Sequence, residues 1–318
     1  MRLSTPSFWR TRGPVAFFLL PLSWIYGLIV KIKNLTKNPY KSRLPVLCIG
    51  GAVAGGSGKT PAVHAVIAGL LSDGTFQRPA ILTRGYGGAL HGPTKVDPEI
   101  HSAGDVGDEA LLHARIAPTI VAHNRADGAV LAEAMGADII VMDDGLQNNS
   151  LHKDCSLLVI DGQQGLGNGF LLPAGPLREP FPDALKKCVG VLSIGSNMDI
   201  AGKDVFRADV AITSEHDKEK NYFAFAGIGH PDKFKETLKT NGFLLTGFSP
   251  FPDHHVYTEK DMDALIDKAG DSTLVTTGKD FVKIPHSYHK NVEVVSIALR
   301  IEKEAALMEL LKRALKKT

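Results

Sequence analysis

The stretch "GGAVAGGSGKTPAV", residues 50–63, carries the parts of a loop that grips phosphate. Such a loop works because backbone N–H groups and a helix N-terminus converge on phosphate oxygens, a lysine offsets their charge and a hydroxyl binds Mg²⁺. Val53, Ala54, Gly55, Gly56, Ser57, Gly58, Lys59 and Thr60 fill these places, except that the pattern's first glycine falls on Val53. The expected ligands are nucleotide phosphates and Mg²⁺. Pro61 in the first helical turn is tolerated, since its missing N–H would have no helical partner anyway. Phosphoryl chemistry also needs an acidic group near the metal, at the end of a neighbouring strand. "ADIIVMDDG" ends an apolar run with Asp143 and Asp144. Strand alternation puts only one of the two on the loop side and leaves open which; Asp-Asp-Gly also reads as a simple turn.

Other clusters carry polar groups without fixing a role alone. "VGDEALLHAR" places Asp108 and Glu109 at a helix start, where acidic residues are commonly caps. "FPDHHVYT" puts Asp253, His254 and His255 in a loop after a strand-like run. "TRGYGG" and "GLGNGFLLPAGPLREP" are glycine-rich loops bearing Arg84, Tyr86, Asn168, Arg178 and Glu179. Loops of this kind at strand ends are where α/β proteins bind ligands. Nucleotide binding by itself fits a switch, a transporter subunit or a kinase.

The elements that must position these residues follow from periodicity. Apolar runs at 44–53, 79–83, 119–122, 137–142, 155–160 and 188–194 predict strands, and 60–71 and 125–135 predict helices. This β-then-α order argues for a parallel sheet with helices on both faces. A charged stretch at 216–221 marks a boundary. Beyond it, strands are expected at 222–226, 243–246, 273–276 and 292–298, with helices at 231–240, 258–269 and 302–316. Two α/β units, the second smaller, are the simplest account of 318 residues.

Net charge of +2 gives no overall case for nucleic acid, and no obligate protein partner is evident. The charge is uneven: Arg2, Arg10, Arg12, Lys31, Lys33, Lys37, Lys41 and Arg43 are all the charged residues of the first 43. Between them, residues 14–30 form an uncharged run of 17, at the lower limit for spanning a bilayer and interrupted by Pro21. Trp24 and Tyr26 suit a headgroup region and the basic flanks suit anionic lipid. The expectation is a segment lying in or dipping into the cytoplasmic leaflet; the alternative is a helix packed as core. Cys48, Cys155 and Cys188 sit in apolar runs at no metal-like spacing, which predicts reduced core thiols and a cytosolic compartment.

Taken in order, "GGSGKTP", "LTRGYGG", "VGDEALLHAR", "DDGLQ", "DGQQGLGNGFLLPAGPLREP", "FAGIGHPDKF" and "FPDHHVYT" resemble the tetraacyldisaccharide 4′-kinase (lipid A 4′-kinase) family, over roughly residues 8–283. "PLSWIYGL" is similar to that family's membrane-associated helix, and the family's loop also lacks the first glycine. The resemblance implies ATP-dependent phosphorylation of the 4′-hydroxyl of a lipid A disaccharide precursor, forming lipid IVA, at the cytoplasmic face of the bacterial inner membrane. It implies a membrane-associated segment at 1–40, a P-loop kinase domain at 41–215 and a C-terminal α/β domain at 216–318 completing the cleft. Residues 53–60 would hold ATP; Thr60, Asp143 and Asp144 would hold Mg²⁺. Asp108 and His254 would act on the acceptor hydroxyl, and Arg84, Tyr86, Glu109, Asn168, Arg178 and Glu179 would bind the lipid disaccharide. Two departures stand out. The family's commoner "DDGFQH" reads "DDGLQN", with Asn148 for histidine, and the usual "TEKD" reads "TTGKD" at Thr276 to Asp280.

Overall fold

The computed structural model describes residues 6–35, 38–56, 58–72, 74–196 and 198–316. Ser57, expected in the phosphate loop, lies outside the described residues.

The first strands are β1 (Val46–Gly50), β2 (Pro79–Thr83), β3 (Thr94–Lys95), β4 (Thr119–Val121), β5 (Ile139–Asp143), β6 (Cys155–Asp161), β7 (Gly190–Ile194) and β8 (Asp204–Ile212). After them come β9 (Asn221–Ala226), β10 (Leu244–Pro250), β11 (Thr273–Thr277), β12 (Val292–Val295) and β13 (Ile297–Ile301). They form a nine-stranded sheet in the order β13-β8-β7-β6-β1-β5-β2-β4-β3 and a four-stranded sheet in the order β10-β9-β11-β12. The large sheet is parallel except at its two edges, where β13 and β3 run antiparallel to their neighbours. The small sheet is parallel throughout.

Parallel strands are covered on both faces, so they read as unbroken apolar runs. In β1, Leu47 and Ile49 join one core cluster while Val46 and Cys48 join another on the opposite face. The first cluster is closed by α3 (Lys59–Ser72), through Val63, Val66, Ile67 and Leu70. The second takes alanines from α6 (Arg125–Ala134) and α7 (Phe181–Lys187). Between α3 and α6 lie two short helices, α4 (Ala103–Val106) and α5 (Asp108–Ala114). In the small sheet, Tyr222 and Ala224 face α8 (Pro231–Thr240) while Phe223 and Phe225 face α9 (Glu259–Ala269).

Two expectations need correcting, and one strand was not expected. The expected strand at 292–298 is two strands in different sheets, parting at Ser296, whose carbonyl and N–H bond to Thr213 and Ser214. The tail does not stay with the second unit: β13 completes the large sheet, and α11 (Glu304–Leu315) buries Leu307, Leu311 and Leu315 in its core. The unit expected at 216–318 therefore surrenders its last strand and helix. β8 was not expected, because its charged and apolar residues alternate on a half-covered strand near the sheet's edge.

At the N-terminus, α1 (Pro14–Phe18) and α2 (Leu20–Leu35) part at Leu19, so Pro21 falls in a first turn where proline is tolerated. Among the described residues, no helix is long and apolar enough to cross a membrane. The two helices bury Ala16 and Ser23 against the body but expose Phe17, Phe18, Leu22, Trp24, Ile25, Leu28 and Ile29.

Candidate active site

The loops after β1, β2, β5 and β6 leave the same edge of the large sheet, the carboxyl end where open α/β sheets bind ligands. Val53 explains the missing glycine. It is buried, pairs with Leu177 in an isolated antiparallel bridge, and has none of the positive φ that would demand glycine. Gly58, by contrast, has φ +77°, and a Cβ there would meet Ile194 Cδ1 at 2.5 Å. Lys59 folds back over the loop: its Nζ donates to the Gly55 carbonyl at 3.3 Å and lies 3.7 Å from Asp144.

The two aspartates after β5 have different surroundings. Asp143 is buried, accepting from His113 Nε2 at 3.2 Å and Thr83 Oγ1 at 3.5 Å, both through Oδ2. Its Oδ1 is buried without a partner among the described residues. Asp144, left-handed at φ 48°, takes the Arg178 guanidinium on both oxygens at 2.8 Å.

Gly107 sets the other half of the site. Its φ of +87° turns the chain from α4 into α5, and a Cβ would collide with the Tyr86 carbonyl at 2.5 Å. Asp108 and Glu109 thus open α5 beside the "TRGYGG" loop. Asp108 reaches the small sheet: its Oδ2 bonds to His254 Nδ1 at 2.8 Å. His254 sits after β10 in a left-handed conformation, φ 59°, and the exposed Tyr86 ring lies 5.8 Å from its imidazole. Burial alone would raise Asp108, but the hydrogen bond from His254 and the charges of Lys279 and Lys283 bring it down to about 2. Glu109 accepts from Thr60 Oγ1 at 3.3 Å and from Lys279 Nζ at 2.6 Å. Burial works against both charges of the Glu109–Lys279 pair, but each holds the other ionised: Glu109 is depressed and Lys279 raised.

Other expected site residues are placed differently. Asn168 is buried with its amide fully engaged, donating to the Phe8 and Ala174 carbonyls and accepting from Phe170 N–H. It ties the N-terminal segment to its loop. Glu179 is likewise buried, accepting from Gln147 and Lys187. Arg84 is exposed at the end of β2, and Arg178 faces Asp144. His255 is held through Nε2 by Asp261 at 3.2 Å and packs on Phe251 and Tyr257. Asn148 accepts from Ser150 N–H and Oγ in a local turn. The "TTGKD" loop caps a short helix, α10 (Gly278–Phe281), through Thr277, and presents Lys279 to Glu109 while Asp280 braces Gly227 and Tyr257.

Sequence reasoning passed over Lys279, His113, Thr83 and Arg125. Arg125 is buried with Nε unpartnered among the described residues. Its one sequence signal is a charged residue opening the helix a few positions past a strand end.

A strand-loop-helix phosphate grip on a parallel sheet, with carboxylates at the adjoining strand end, defines a P-loop kinase fold. The chain belongs to the tetraacyldisaccharide-1-P 4′-kinase family, whose profile matches residues 15–316. Tetraacyldisaccharide 4′-kinases of Methylobacterium radiotolerans and Paramagnetospirillum magneticum are each 42% identical to it, covering 98% of this chain and 98% of theirs. The fold is similar to that of LpxK from Aquifex aeolicus, solved as an "apo" form in complex with ATP. There the TM-score is 0.80 at 28% identity, covering 95% of this chain and 99% of that one.

Proposed function

We propose that the chain transfers the γ-phosphoryl group of ATP to the 4′-hydroxyl of a tetraacyldisaccharide 1-phosphate. The observation that carries this reading is the Asp108–His254 pair, 2.8 Å across two sheets, on the same side as a loop suited to phosphates. Residues 53–60 hold the triphosphate, with Lys59 offsetting its charge. The donors present fit Mg²⁺: hard oxygens from Thr60 and from the unpartnered Asp143 Oδ1. Bound there, the ion would neutralise charge on the β- and γ-phosphates. Asp144 acts beside it, ordering Lys59 and Arg178.

A sugar hydroxyl is too weak an acid to ionise before attack. His254 accepts its proton at Nε2 as the oxygen–phosphorus bond forms and the bond to the departing ADP breaks. Asp108, on Nδ1, holds the tautomer and stabilises the imidazolium. Tyr86, Arg84 and Glu109 with Lys279 line the acceptor side. The two sheets form two lobes, 41–215 with the returning tail and 216–296, and the segment 1–40 rests on the cytoplasmic face of the inner membrane. That placement is supported by the exposed apolar face of α1 and α2 and their basic flanks.

The test is transfer of ³²P from labelled ATP to a lipid disaccharide 1-phosphate. Wild-type protein is expected to label the lipid, and folded Lys59→Ala to lose the activity. Wild-type-like turnover in that variant would overturn the ATP site.

A further inference from the structure

Two histidines, one fully and one partly buried, take no part in the chemistry above. His64 lies on α3, four residues past Thr60, and His113 on α5, four residues past Glu109. Their rings meet edge to face, with His64 Nε2 at 3.1 Å from His113 Nδ1. His113 is fully buried, and its other nitrogen, Nε2, lies 3.2 Å from Asp143 Oδ2. The three groups form one chain from the helix that carries Lys59 and Thr60 to the end of β5.

Proton inventory orders this chain. A carboxylate can only accept, so His113 must carry a proton on Nε2. Its Nδ1 then meets His64 Nε2 at 3.1 Å, one proton being shared between the two rings. Burial, with the neighbouring His113 second, pushes His64 down to about 3, so it is uncharged at working pH. Asp143 Oδ2 is thereby held by His113 and Thr83, and the carboxylate cannot rotate without breaking both bonds. Its second oxygen is left buried and, among the described residues, unpartnered.

We propose that His113, oriented by His64, is a positioning residue that fixes the Asp143 carboxylate so that Oδ1 alone faces the metal. The proposal rests on the reading of Asp143 as a Mg²⁺ ligand. Groups that hold a metal ligand from behind commonly change metal affinity by about 10–100-fold when removed. Running through α3, the chain also ties the metal carboxylate to the helix bearing the Thr60 hydroxyl, so both donors are held in one frame.

The experiment measures Mn²⁺ binding by electron paramagnetic resonance, with the full-length protein and a non-hydrolysable ATP analogue, alongside metal-free nucleotide binding. His113→Leu is expected to weaken Mn²⁺ about 10–100-fold with metal-free nucleotide affinity unchanged. His113→Gln, which keeps an N–H donor near Oδ2, should recover most of the loss. His64→Leu should weaken Mn²⁺ several-fold and move the His113 ring ¹⁵N shifts away from a single tautomer; it also serves should His113→Leu fail to fold. Asp143→Asn separates the two ideas. If it weakens Mn²⁺ while His113→Leu and His64→Leu do not, the positioning role is wrong and the ligand assignment stands. Unchanged Mn²⁺ affinity in Asp143→Asn overturns both.

Discussion

His254 and Asp108 lie 146 positions apart, yet a 2.8 Å hydrogen bond makes them one unit. General-base assistance is typically worth about 10²–10⁴ in rate. His254→Ala and Asp108→Ala should each lower kcat in that range, and the double variant should be little worse than the weaker single one. His255→Ala should keep near-normal kcat, since Asp261 already occupies its ring; a large loss there would make His255 the base. The pair also has a pH signature. Asp108 is depressed to about 2, so the stability it contributes is complete above the ordinary carboxylate range and is lost progressively as pH falls from there through about 2. Removing His254 should raise the Asp108 carboxyl, visible in a ¹³C titration of that carbon. The thiols make a second expectation at this scale. Cys48, Cys155 and Cys188 are buried, and burial pushes each up to about 12. Alkylation by iodoacetamide at pH 8 should need global unfolding; rapid labelling of the native protein would contradict this. Residue types alone could suggest a base, a phosphate-binding lysine and two metal-side aspartates. They could not reveal that Asn168 and Glu179 are consumed by neighbours, because those partners are backbone carbonyls, a glutamine and a lysine brought in by the fold.

At the scale of elements, the apolar runs of β1, β2, β5 and β6 were legible because strands buried on both faces leave no polar break. On the large sheet, α3 and α6 were legible from their alternation with those runs, whereas α7 was not expected. What escaped was decided by pairing rather than by local pattern. Residues 292–301 are β-favouring throughout, and only the bonds at Ser296 to Thr213 and Ser214 divide them between two sheets. The sharp turns can be tested directly. Gly107 combines φ +87° with a carbonyl 2.5 Å from any Cβ, so Gly107→Ala must move the start of α5. Strain of this kind costs about 1–3 kcal/mol. The variant should melt several degrees lower. Because Asp108 is the next residue, kcat should fall out of proportion to KM for ATP. A normal kcat with a lowered Tm would mean that the acidic pair tolerates displacement.

Across the whole molecule, the apolar face of α1 and α2 is joined to the catalytic edge by specific bonds rather than by a linker. Ser23 Oγ donates to the Leu171 carbonyl at 2.8 Å, Trp9 Nε1 to Pro173 at 3.0 Å, and Tyr26 OH to the carbonyl of Arg178 at 3.0 Å. Arg178 in turn grips Asp144, so the surface proposed to meet lipid and the residues proposed to meet phosphate share one loop. Phe18 and Trp24 are 84% and 68% exposed, which makes their substitution a test of lipid contact rather than of packing. Burying such a side chain is worth about 1.5–3 kcal/mol, and 1.4 kcal/mol is about tenfold in affinity. Phe18→Ser and Trp24→Ser should each weaken binding to anionic vesicles about tenfold or more, leaving ATP-analogue affinity and Tm near wild type. Salt should weaken binding of the wild type as well, since each basic residue near an anionic surface contributes about 1 kcal/mol that is screened within a Debye length. Activity on vesicle-borne lipid should fall with vesicle affinity, while activity on detergent-dispersed lipid should be largely retained. Equal losses in both assays would assign these side chains to the substrate site itself. Unchanged vesicle binding in both variants would remove the N-terminal face from membrane contact altogether.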